Sequence, residues 1–158
     1  MISEEVTKLI GKVGDIRIME VERGAIKRYA DAIDDHNPLY WDEEYARGSR
    51  YGSIVAPPGF FGWPTRWTEG MPILPELVAK VSAILAQAGY SRSLDGGIEY
   101  EFFCPVRAGD VLTALTRILD IYEQEGKTGK LFFLVVETTY TNQDGNLVAK
   151  VRRTLIRR

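Results

Sequence analysis

Residues 34–42 read Asp-Asp-His-Asn-Pro-Leu-Tyr-Trp-Asp. Adding water to an activated double bond, or removing it, requires one group that takes a proton and a second that positions or releases the water. Asp35 is a candidate for the first group, and Tyr40 stands five residues later. A phenol has an ordinary pKa of about 10, so Tyr40 is a poor base at neutral pH but can donate a hydrogen bond. Because proline disfavours a helical conformation in the residue before it, Asp35 and Tyr40 flank a turn.

A short helix is predicted before this turn. Four apolar residues recur at spacings that place them on one helical face: Ile26, Tyr29, Ala30 and Ile33. The helix should run from Gly24 to about Asp34, where a cluster of acidic residues opposes the helix dipole. One further helical turn is predicted at residues 43–46.

Residues 52–64 read Gly-Ser-Ile-Val-Ala-Pro-Pro-Gly-Phe-Phe-Gly-Trp-Pro. Proline suits the first turn of a helix, and the free backbone amides there can bind an anion or a carbonyl oxygen. We therefore predict that the chain enters a buried helix near Pro57 and that Pro64 kinks or ends it early.

A second, amphipathic helix is predicted after this segment. Its apolar stripe consists of Leu74, Leu77, Val78, Val81, Ile84 and Leu85. Pro75 lies near its start, and Gly89 is the expected C-terminal stop.

The second half of the chain has the character of β-strands. Strand-like runs at 96–104, 110–123, 130–142 and 146–157 are separated by turn signals, which predicts an antiparallel meander. Residues 13–21 add a further strand. Residues 131–136 are apolar at every position, as expected of a central strand covered on both faces. The predicted fold class is α+β, with one curved antiparallel sheet packed against helices.

Composition restricts the function further. The 158 residues suit a single domain, with 45% hydrophobic and 27% charged residues, and the net charge of −2 gives no support for nucleic-acid binding. No apolar run reaches the roughly 18 residues of a membrane span, and residues 1–5 lack the features of a signal peptide, so we expect a cytoplasmic protein without membrane association. Cys104 is the one cysteine and His36 the one histidine, which argues against a disulfide and a zinc site.

Two motifs in this order resemble a known family. Asp-x-Asn-Pro-Leu-x-x-Asp at 35–42 and Gly-Ser-Ile-Val-Ala-Pro-Pro-Gly-Phe at 52–60 are followed by a strand ending in Pro-Val-Arg-Ala-Gly-Asp at 105–110. This arrangement is similar to the MaoC-like hydratases and dehydratases of the N-terminal-half type, related to the dehydratase domain of fatty-acid synthase. The resemblance covers the chain from about Ile10 to Arg158. It implies a hot-dog fold, in which a curved antiparallel sheet wraps around a central helix.

The resemblance also implies an activity and a set of site residues. Active members carry an Asp and, five residues later, a His, and they act on acyl thioesters of coenzyme A or acyl carrier protein. The Asp corresponds to Asp35, whereas the His position holds Tyr40. The family's backbone donor to the thioester carbonyl falls at Gly59 or Phe60, because the prolines before them have no N–H. The resemblance and the motif also give a set of expected substrate-binding residues: Asn37, Gly59, Phe60, Phe61 and Trp63.

Each of these residues also has a purely structural interpretation. Asp35 could cap a turn, as aspartate often does before Asn-Pro. Tyr40 could be a packing residue in an aromatic cluster with its hydroxyl satisfied. His36 could be a solvent-facing turn residue, since the proline turn directs it away from the missing histidine's position. Asn37 is expected to be mainly architectural.

Three other features have two interpretations. An aromatic set could line an acyl tunnel or belong to the core: Phe60, Phe61, Trp63 and Trp67. A basic set at the C-terminus could meet phosphates of coenzyme A or lie on a solvated edge strand: Lys150, Arg152, Arg153, Arg157 and Arg158. Cys104 is expected to be a small buried apolar residue.

The leading hypothesis is a subunit of an (R)-specific enoyl-thioester hydratase or 3-hydroxyacyl-thioester dehydratase. The resemblance implies that it works as a homodimer or as a heterodimer with a second hot-dog subunit, which in the heterodimer holds the intact Asp and His. No metal and no redox cofactor are required. The alternative is a non-catalytic subunit that binds acyl chains and acts as a scaffold. A hot-dog thioesterase ranks last, because residues 57–66 contain no carboxylate to activate water.

Overall fold

The computed structural model describes residues 4–60, 76–127 and 129–158. Five helices are α1 (Glu4–Thr7), α2 (Arg23–Ala32), α3 (Pro38–Trp41), α4 (Glu43–Gly48) and α5 (Glu76–Gln87). Five strands are β1 (Val13–Glu20), β2 (Ser93–Phe102), β3 (Val111–Gly126), β4 (Gly129–Thr141) and β5 (Leu147–Arg157). These counts refer to the described residues. The predicted α+β class and the predicted strands are confirmed to within a few residues. The predicted buried helix lies outside the described residues beyond Phe60.

The five strands form one antiparallel sheet in the order β1-β3-β4-β5-β2. The predicted meander is correct for β3, β4 and β5, which are joined by two hairpins. It is wrong for β2, which pairs with β5 and not with β3. The physical reason is that β1 occupies the free edge of β3, from Val13 beside Arg117 to Glu20 beside Val111. The segment between β2 and β3 therefore crosses from one edge region of the sheet to the other.

Glycine turns explain both hairpins. Gly126 pairs with Gly129. The φ angle of Gly129 is 127°, a backbone conformation that glycine adopts readily and that is strained for other residues. The second hairpin is closed by Asn142, whose side-chain oxygen accepts hydrogen bonds from the backbone N–H groups of Asp144 and Asn146. Gly145 in the same turn has a φ of 79°. The turn signals in the sequence therefore identified both hairpins correctly.

The helices cover one face of the sheet and bury two apolar clusters. The first lies beneath α2, α3 and α4 and includes Ile26, Tyr40, Phe60 and Leu112. The second lies beneath α1 and α5 and includes members of β3, β4 and β5. As predicted, α5 is followed by Gly89, which has a φ of 96°. Within the described residues, no helix is long and apolar enough to span a membrane.

β4 lies at the centre of the sheet, as predicted from its apolar run. Phe132, Leu134 and Val136 point to the helices and are buried, whereas Phe133 and Val135 alternate with them and are only half buried. The prediction that both faces are covered is therefore wrong for the described residues. A continuous apolar run was interpreted as two-sided burial, but here the helices cover a single face.

Candidate active site

Asp35 lies in a turn that begins where α2 ends. Asp34 has a φ of 56°, which reverses the chain direction, and the N–H of Asp35 donates to the carbonyl of Ala30 at 2.9 Å. The Oδ1 atom of Asp35 accepts a hydrogen bond from the backbone N–H of Asn37 at 3.1 Å, which is an Asx turn. The carbonyl of Asp35 accepts a hydrogen bond from the indole N–H of Trp41 at 2.9 Å. The turn-capping interpretation of Asp35 thus has direct support in its hydrogen bonds.

Asn37 begins α3 as its N-cap. Its Oδ1 atom accepts a hydrogen bond from the N–H of Leu39 at 3.1 Å, and Pro38 occupies the first helical position. Both features favour a helix start, because the side-chain oxygen satisfies a free amide and proline has none to satisfy. The role that these contacts show for Asn37 is to orient the short helix that carries Tyr40.

Tyr40 points into the protein from α3 and is 8% exposed. Burial raises the pKa of its hydroxyl, and the negative charge of Asp35 and the nearby Tyr51 raise that pKa further. No hydrogen bond to the Tyr40 hydroxyl is formed by the part of the chain that the structure describes. A phenol with a raised pKa stays protonated at neutral pH, so Tyr40 can donate a hydrogen bond but cannot act as a general base.

His36 points to solvent, away from Tyr40. Its side chain is 76% exposed, and its Nε2 atom lies 3.0 Å from Oδ1 of Asp34, which is also exposed. This placement agrees with the interpretation of His36 as a solvent-facing turn residue. His36 therefore does not substitute for a histidine at position 40.

A cavity of about 490 Å³ opens beside Tyr40. This volume falls in the range of about 300–1,000 Å³ that is usual for small-molecule sites. Its apolar wall is formed by α3, by the segment that leads to Pro58 and by residues 102–106 at the end of β2. The lining includes Tyr40, Val55, Pro57, Phe103 and Cys104. Asp35, Asn37, Gly59 and Phe60 do not line it.

The two candidate amide donors differ in their hydrogen bonding. The N–H of Phe60 donates to the carbonyl of Pro57 at 3.2 Å, so it is already engaged in a turn. Gly59 has a φ of 89°, and its N–H has no acceptor among the described residues. Of the two N–H groups, the one of Gly59 is therefore the better candidate to donate a hydrogen bond to a ligand oxygen. Phe61 and Trp63, as well as Trp67, lie outside the described residues.

Two tyrosines fix the backbone at Gly59. A Cβ atom at this position would lie 2.8 Å from the hydroxyl oxygen of Tyr29, so a larger residue does not fit without a shift. The hydroxyl of Tyr100 donates to the carbonyl of Gly59 over 3.5 Å. Phe60 is 1% exposed and packs edge-on against Tyr29, with ring centroids 5.7 Å apart. The side chain of Phe60 is thus a core residue.

Arg50 and Tyr51 are cavity residues that the sequence analysis missed. The guanidinium of Arg50 donates to the hydroxyl of Tyr51 at 2.6 Å and lies 4.8 Å from the centre of the same ring. Lys150 lies nearby, 5.8 Å from the ring centre of Phe103. The order Arg-Tyr directly before the Gly-Ser-Ile-Val motif was the one signal that could have identified the pair. The cavity lining thus includes aromatic rings that contact positive charge: Tyr51 beside Arg50, and Phe103 beside Lys150.

The basic residues at the C-terminus lie in different places and have different contacts. Lys150 alone lies against a residue of the cavity wall. Arg152 forms ion pairs with Glu99 and Glu137, and Arg153 lies 3.8 Å from a carboxylate oxygen of Asp95. Arg157 is near the opposite end of β5. The set therefore does not form one phosphate site at the cavity.

The Pro-Val-Arg-Ala-Gly-Asp motif holds the cavity wall in place. Asp110 is 7% exposed, and its Oδ2 atom accepts the backbone N–H of Arg107 at 2.7 Å. The side chain of Arg107 then donates through Nε to the carbonyl of Tyr51 at 3.2 Å. Val55 forms an isolated β-bridge with Arg107. The motif thus fixes the segment that carries Tyr51 and Val55 against the sheet.

Comparison with known proteins identifies the family. The family model described as "FAS1-like, dehydratase domain region" matches residues 8–151. The chain belongs to this family, within the MaoC-like hot-dog dehydratases. A UPF0336 protein of Thermobifida fusca is 34% identical over 68% of this chain and 65% of its own length. A probable enoyl-CoA hydratase alpha subunit of Thermomonospora curvata is 30% identical over 84% of this chain and 43% of its own length. The chain thus spans less than two thirds of either relative.

Solved structures confirm the hot-dog fold. The ChsH1-ChsH2 complex from Mycobacterium tuberculosis contains a chain with a TM-score of 0.84 and 21% identity, with coverage of 97% of this chain and 88% of that one. The MaoC-like dehydratase from Rhodospirillum rubrum has a TM-score of 0.59 and 26% identity, with coverage of 94% and 93%. The resemblance inferred from the two sequence motifs is therefore confirmed at the level of family and fold.

Proposed function

We propose that this chain is the acyl-holding subunit of an (R)-specific enoyl-thioester hydratase or 3-hydroxyacyl-thioester dehydratase, and that a second hot-dog subunit supplies the proton-transfer pair. In the hydration direction, a water oxygen bonds to C3 of a trans-2-enoyl thioester and a proton is added at C2. The reverse reaction removes the same hydroxyl and proton. The observation that carries the proposal is Tyr40, a buried phenol with a raised pKa at the wall of an apolar cavity.

The chemistry available in this chain fits binding better than proton transfer. The lining near Tyr40 is mostly apolar and suits an acyl chain or the arm of its carrier. Tyr40 is a neutral donor in the cavity wall that could stabilise the negative charge on a thioester oxygen. The N–H of Gly59, directly after the lining residue Pro58, is a second candidate only for a ligand that extends beyond the cavity. Asp35 is engaged in an Asx turn and does not line the cavity. Arg50 and Lys150 would attract the phosphates of coenzyme A or of an acyl carrier protein.

The sheet offers a place for the second subunit next to the cavity. β2 is the last strand of the sheet, and its residues are mostly exposed, with Ile98 at 39% and Phe102 at 48%. An exposed strand edge can pair with a strand of another chain through backbone hydrogen bonds. Because Phe102 also lines the cavity, a subunit docked on β2 would lie close to a ligand bound there. The similar Mycobacterium tuberculosis structure is a complex of ChsH1 and ChsH2, and the similar Thermomonospora curvata protein is a probable alpha subunit.

Reconstitution tests this proposal. The chain is purified alone and together with a hot-dog protein encoded beside it, and hydration is followed by loss of the ultraviolet absorbance of an enoyl-coenzyme A substrate. We expect no hydration by the chain alone and hydration by the complex. Asp35→Asn in this chain should leave the rate of the complex unchanged, with Asp34→Asn as the matched control. Ala56→Trp, which fills the cavity, should raise KM at least tenfold.

The alternative function, a purely scaffolding subunit, gives a different result. In that case the complex is active, but Ala56→Trp and Tyr40→Phe both leave KM and kcat unchanged. Hydration by the chain alone that disappears in Asp35→Asn would contradict both functions and would place catalysis in this chain.

A further inference from the structure

The face of the sheet opposite the helices, here called the outer face, carries a row of alternating charges. The row crosses four neighbouring strands in register and consists of Arg117, Glu137, Arg152 and Glu99. Arg117 donates to Glu137 at 2.6 Å and 3.1 Å, and Arg152 contacts Glu137 at 3.4 Å and Glu99 at 3.3 Å. Read from β3 to β2, the charges alternate as positive, negative, positive, negative.

A second row on the outer face is apolar. It crosses the same four strands in register and consists of Tyr122, Phe133, Ile156 and Leu94. The rings of Tyr122 and Phe133 stack with centroids 4.8 Å apart and planes 3° apart. Tyr122 and Leu94 are 39% and 43% exposed. The outer face also displays Ile16 at 65% and Ile18 at 64% exposure on β1. Ile16 and Ile18 lie on the other side of the charged row, whereas the apolar row itself crosses four neighbouring strands, and exposed apolar surface of that kind usually marks an interaction site.

The charge order determines what can cover this face. Two identical surfaces that face each other are related by a two-fold axis lying in the interface. If that axis runs along the strands between β4 and β5, it reverses the row in the second copy. Arg117 then faces Glu99 of the copy, and Glu137 faces Arg152 of the copy. An axis running along the row would instead place each charge opposite its own kind, which is repulsive.

The same axis also matches the apolar row. It keeps every residue at its own height along the strands, so the apolar row faces the apolar row of the copy in reversed order. Phe133 then faces Ile156, and Tyr122 faces Leu94. A surface whose charges and apolar residues are both self-complementary about one axis has no need of a partner with a different sequence.

We propose that the outer face binds the outer face of a second copy of this chain, back to back, about a two-fold axis parallel to the strands between β4 and β5. This interface is separate from the β2 edge and from the cavity, and it does not depend on the proposed acyl-holding role. If both contacts form, two copies of this chain occupy the centre of the assembly and each keeps its β2 edge for another hot-dog subunit.

Cysteine cross-linking tests the position of the axis. Val135 and Thr139 lie on the outer face of β4, two residues on either side of Glu137. Each is replaced singly by cysteine in a Cys104→Ala background, and the full chain is treated with a short bismaleimide. The proposed axis places each residue about 11 Å from its own counterpart, as follows from a strand spacing of about 4.8 Å and a sheet separation of about 10 Å. We therefore expect both single variants to form cross-linked dimers.

The control and the opposing outcomes are equally specific. Ile18→Cys lies on the outer face of β1, about 26 Å from its counterpart across five strand spacings and the sheet separation, and should not cross-link. If cross-links form only in a mixture of Val135→Cys and Thr139→Cys chains, the axis runs along the row and the proposal is wrong. Absence of cross-links at both positions also overturns it, and would leave the face to a different protein or to solvent.

Sedimentation measures the association itself. Ile156→Glu introduces a charge into the apolar row, opposite Phe133 of the copy. The matched control is Tyr45→Glu, which adds the same charge at an exposed apolar residue of α4. Circular dichroism and thermal unfolding verify that each variant is folded. At equal concentration, Ile156→Glu should show half the mass of the wild type and of the control; equal masses for both variants would refute the interface.

Discussion

Gly59→Ala is the substitution whose effect follows most directly from the geometry. Gly59 has a φ of 89°, and a methyl group there would lie 2.8 Å from the hydroxyl oxygen of Tyr29. An L-residue in the left-handed region costs about 1–2 kcal/mol. The crowding against Tyr29 adds about 1–3 kcal/mol, which is typical of overpacking. The expected loss of unfolding free energy is therefore about 2–5 kcal/mol.

Gly52→Ala is a matched control for the backbone contribution. Gly52 has a φ of 72°, but a methyl group there would meet no atom within 4 Å. Its loss should be about 1–2 kcal/mol, from backbone strain alone. Urea unfolding followed by circular dichroism measures both variants. In thermal unfolding, 1 kcal/mol lowers Tm by about 2–4 °C for a chain of this size, so the crowding of about 1–3 kcal/mol should place Gly59→Ala about 2–12 °C below Gly52→Ala.

A double variant tests the cause of the difference. Tyr29→Phe removes the hydroxyl that the new methyl group would meet, so Tyr29→Phe/Gly59→Ala should be more stable than the sum of the single effects by about 1 kcal/mol or more. The reasoning is refuted if Gly59→Ala and Gly52→Ala lose the same free energy, or if the two substitutions at 29 and 59 are additive.

Three further predictions concern single side chains. Tyr40→Phe should lower kcat/KM of the reconstituted complex about fivefold, which corresponds to the loss of one neutral hydrogen bond. The pH–rate profile between pH 6 and 9 should not change, because the raised pKa keeps Tyr40 protonated. Loss of the acidic or the basic limb of that profile in the variant would contradict this. Glu137→Gln should reduce the loss of unfolding free energy between pH 7 and pH 3, measured by urea unfolding at both pH values. Burial raises the pKa of Glu137, but the hydrogen bonds and charges of Arg117 and Arg152 outweigh it and lower that pKa below its ordinary value. The stabilisation by Glu137 is therefore present above the ordinary pKa and is lost as the pH falls through the pKa of the folded state. Asp110→Ala should cost about 1–3 kcal/mol, because it leaves the partly buried N–H of Arg107 without its acceptor. Asp144→Ala in the exposed hairpin is the control.

Local structure could be predicted from the sequence because its causes are local. The glycines at 89, 129 and 145 have positive φ angles at the predicted helix stop and hairpins. The spacing of Ile26 and Ala30 identified the buried face of α2. The order of the strands could not be predicted from local sequence. β2 pairs with β5 because β1 already pairs with the outer edge of β3. Alternation along β4 was hidden because both of its faces carry apolar residues.

The site shows the same division between local and distant causes. Tyr40 was identified because it lies inside a motif, and α3 places it at the cavity. Arg50 and Tyr51 were missed because their roles depend on Phe103 and Arg107, which lie more than fifty residues away in the sequence. No periodic pattern records such a contact. The outer face was likewise invisible, because its charged row joins residues from four strands.

The retention of an aspartate beside a missing histidine has a structural cause in this chain. Asp35 accepts the N–H of Asn37, and Asn37 in turn accepts the N–H of Leu39, so two successive side-chain bonds guide the chain from the left-handed Asp34 into α3. Loss of the Asp35 bond would remove one support of the helix that buries Tyr40. The turn alone is therefore a sufficient structural reason for an aspartate at position 35, with or without a proton-transfer role. Among the described residues, the side chain at position 40 makes no such bond, and the buried Tyr40 forms part of the cavity wall while it remains a hydrogen-bond donor.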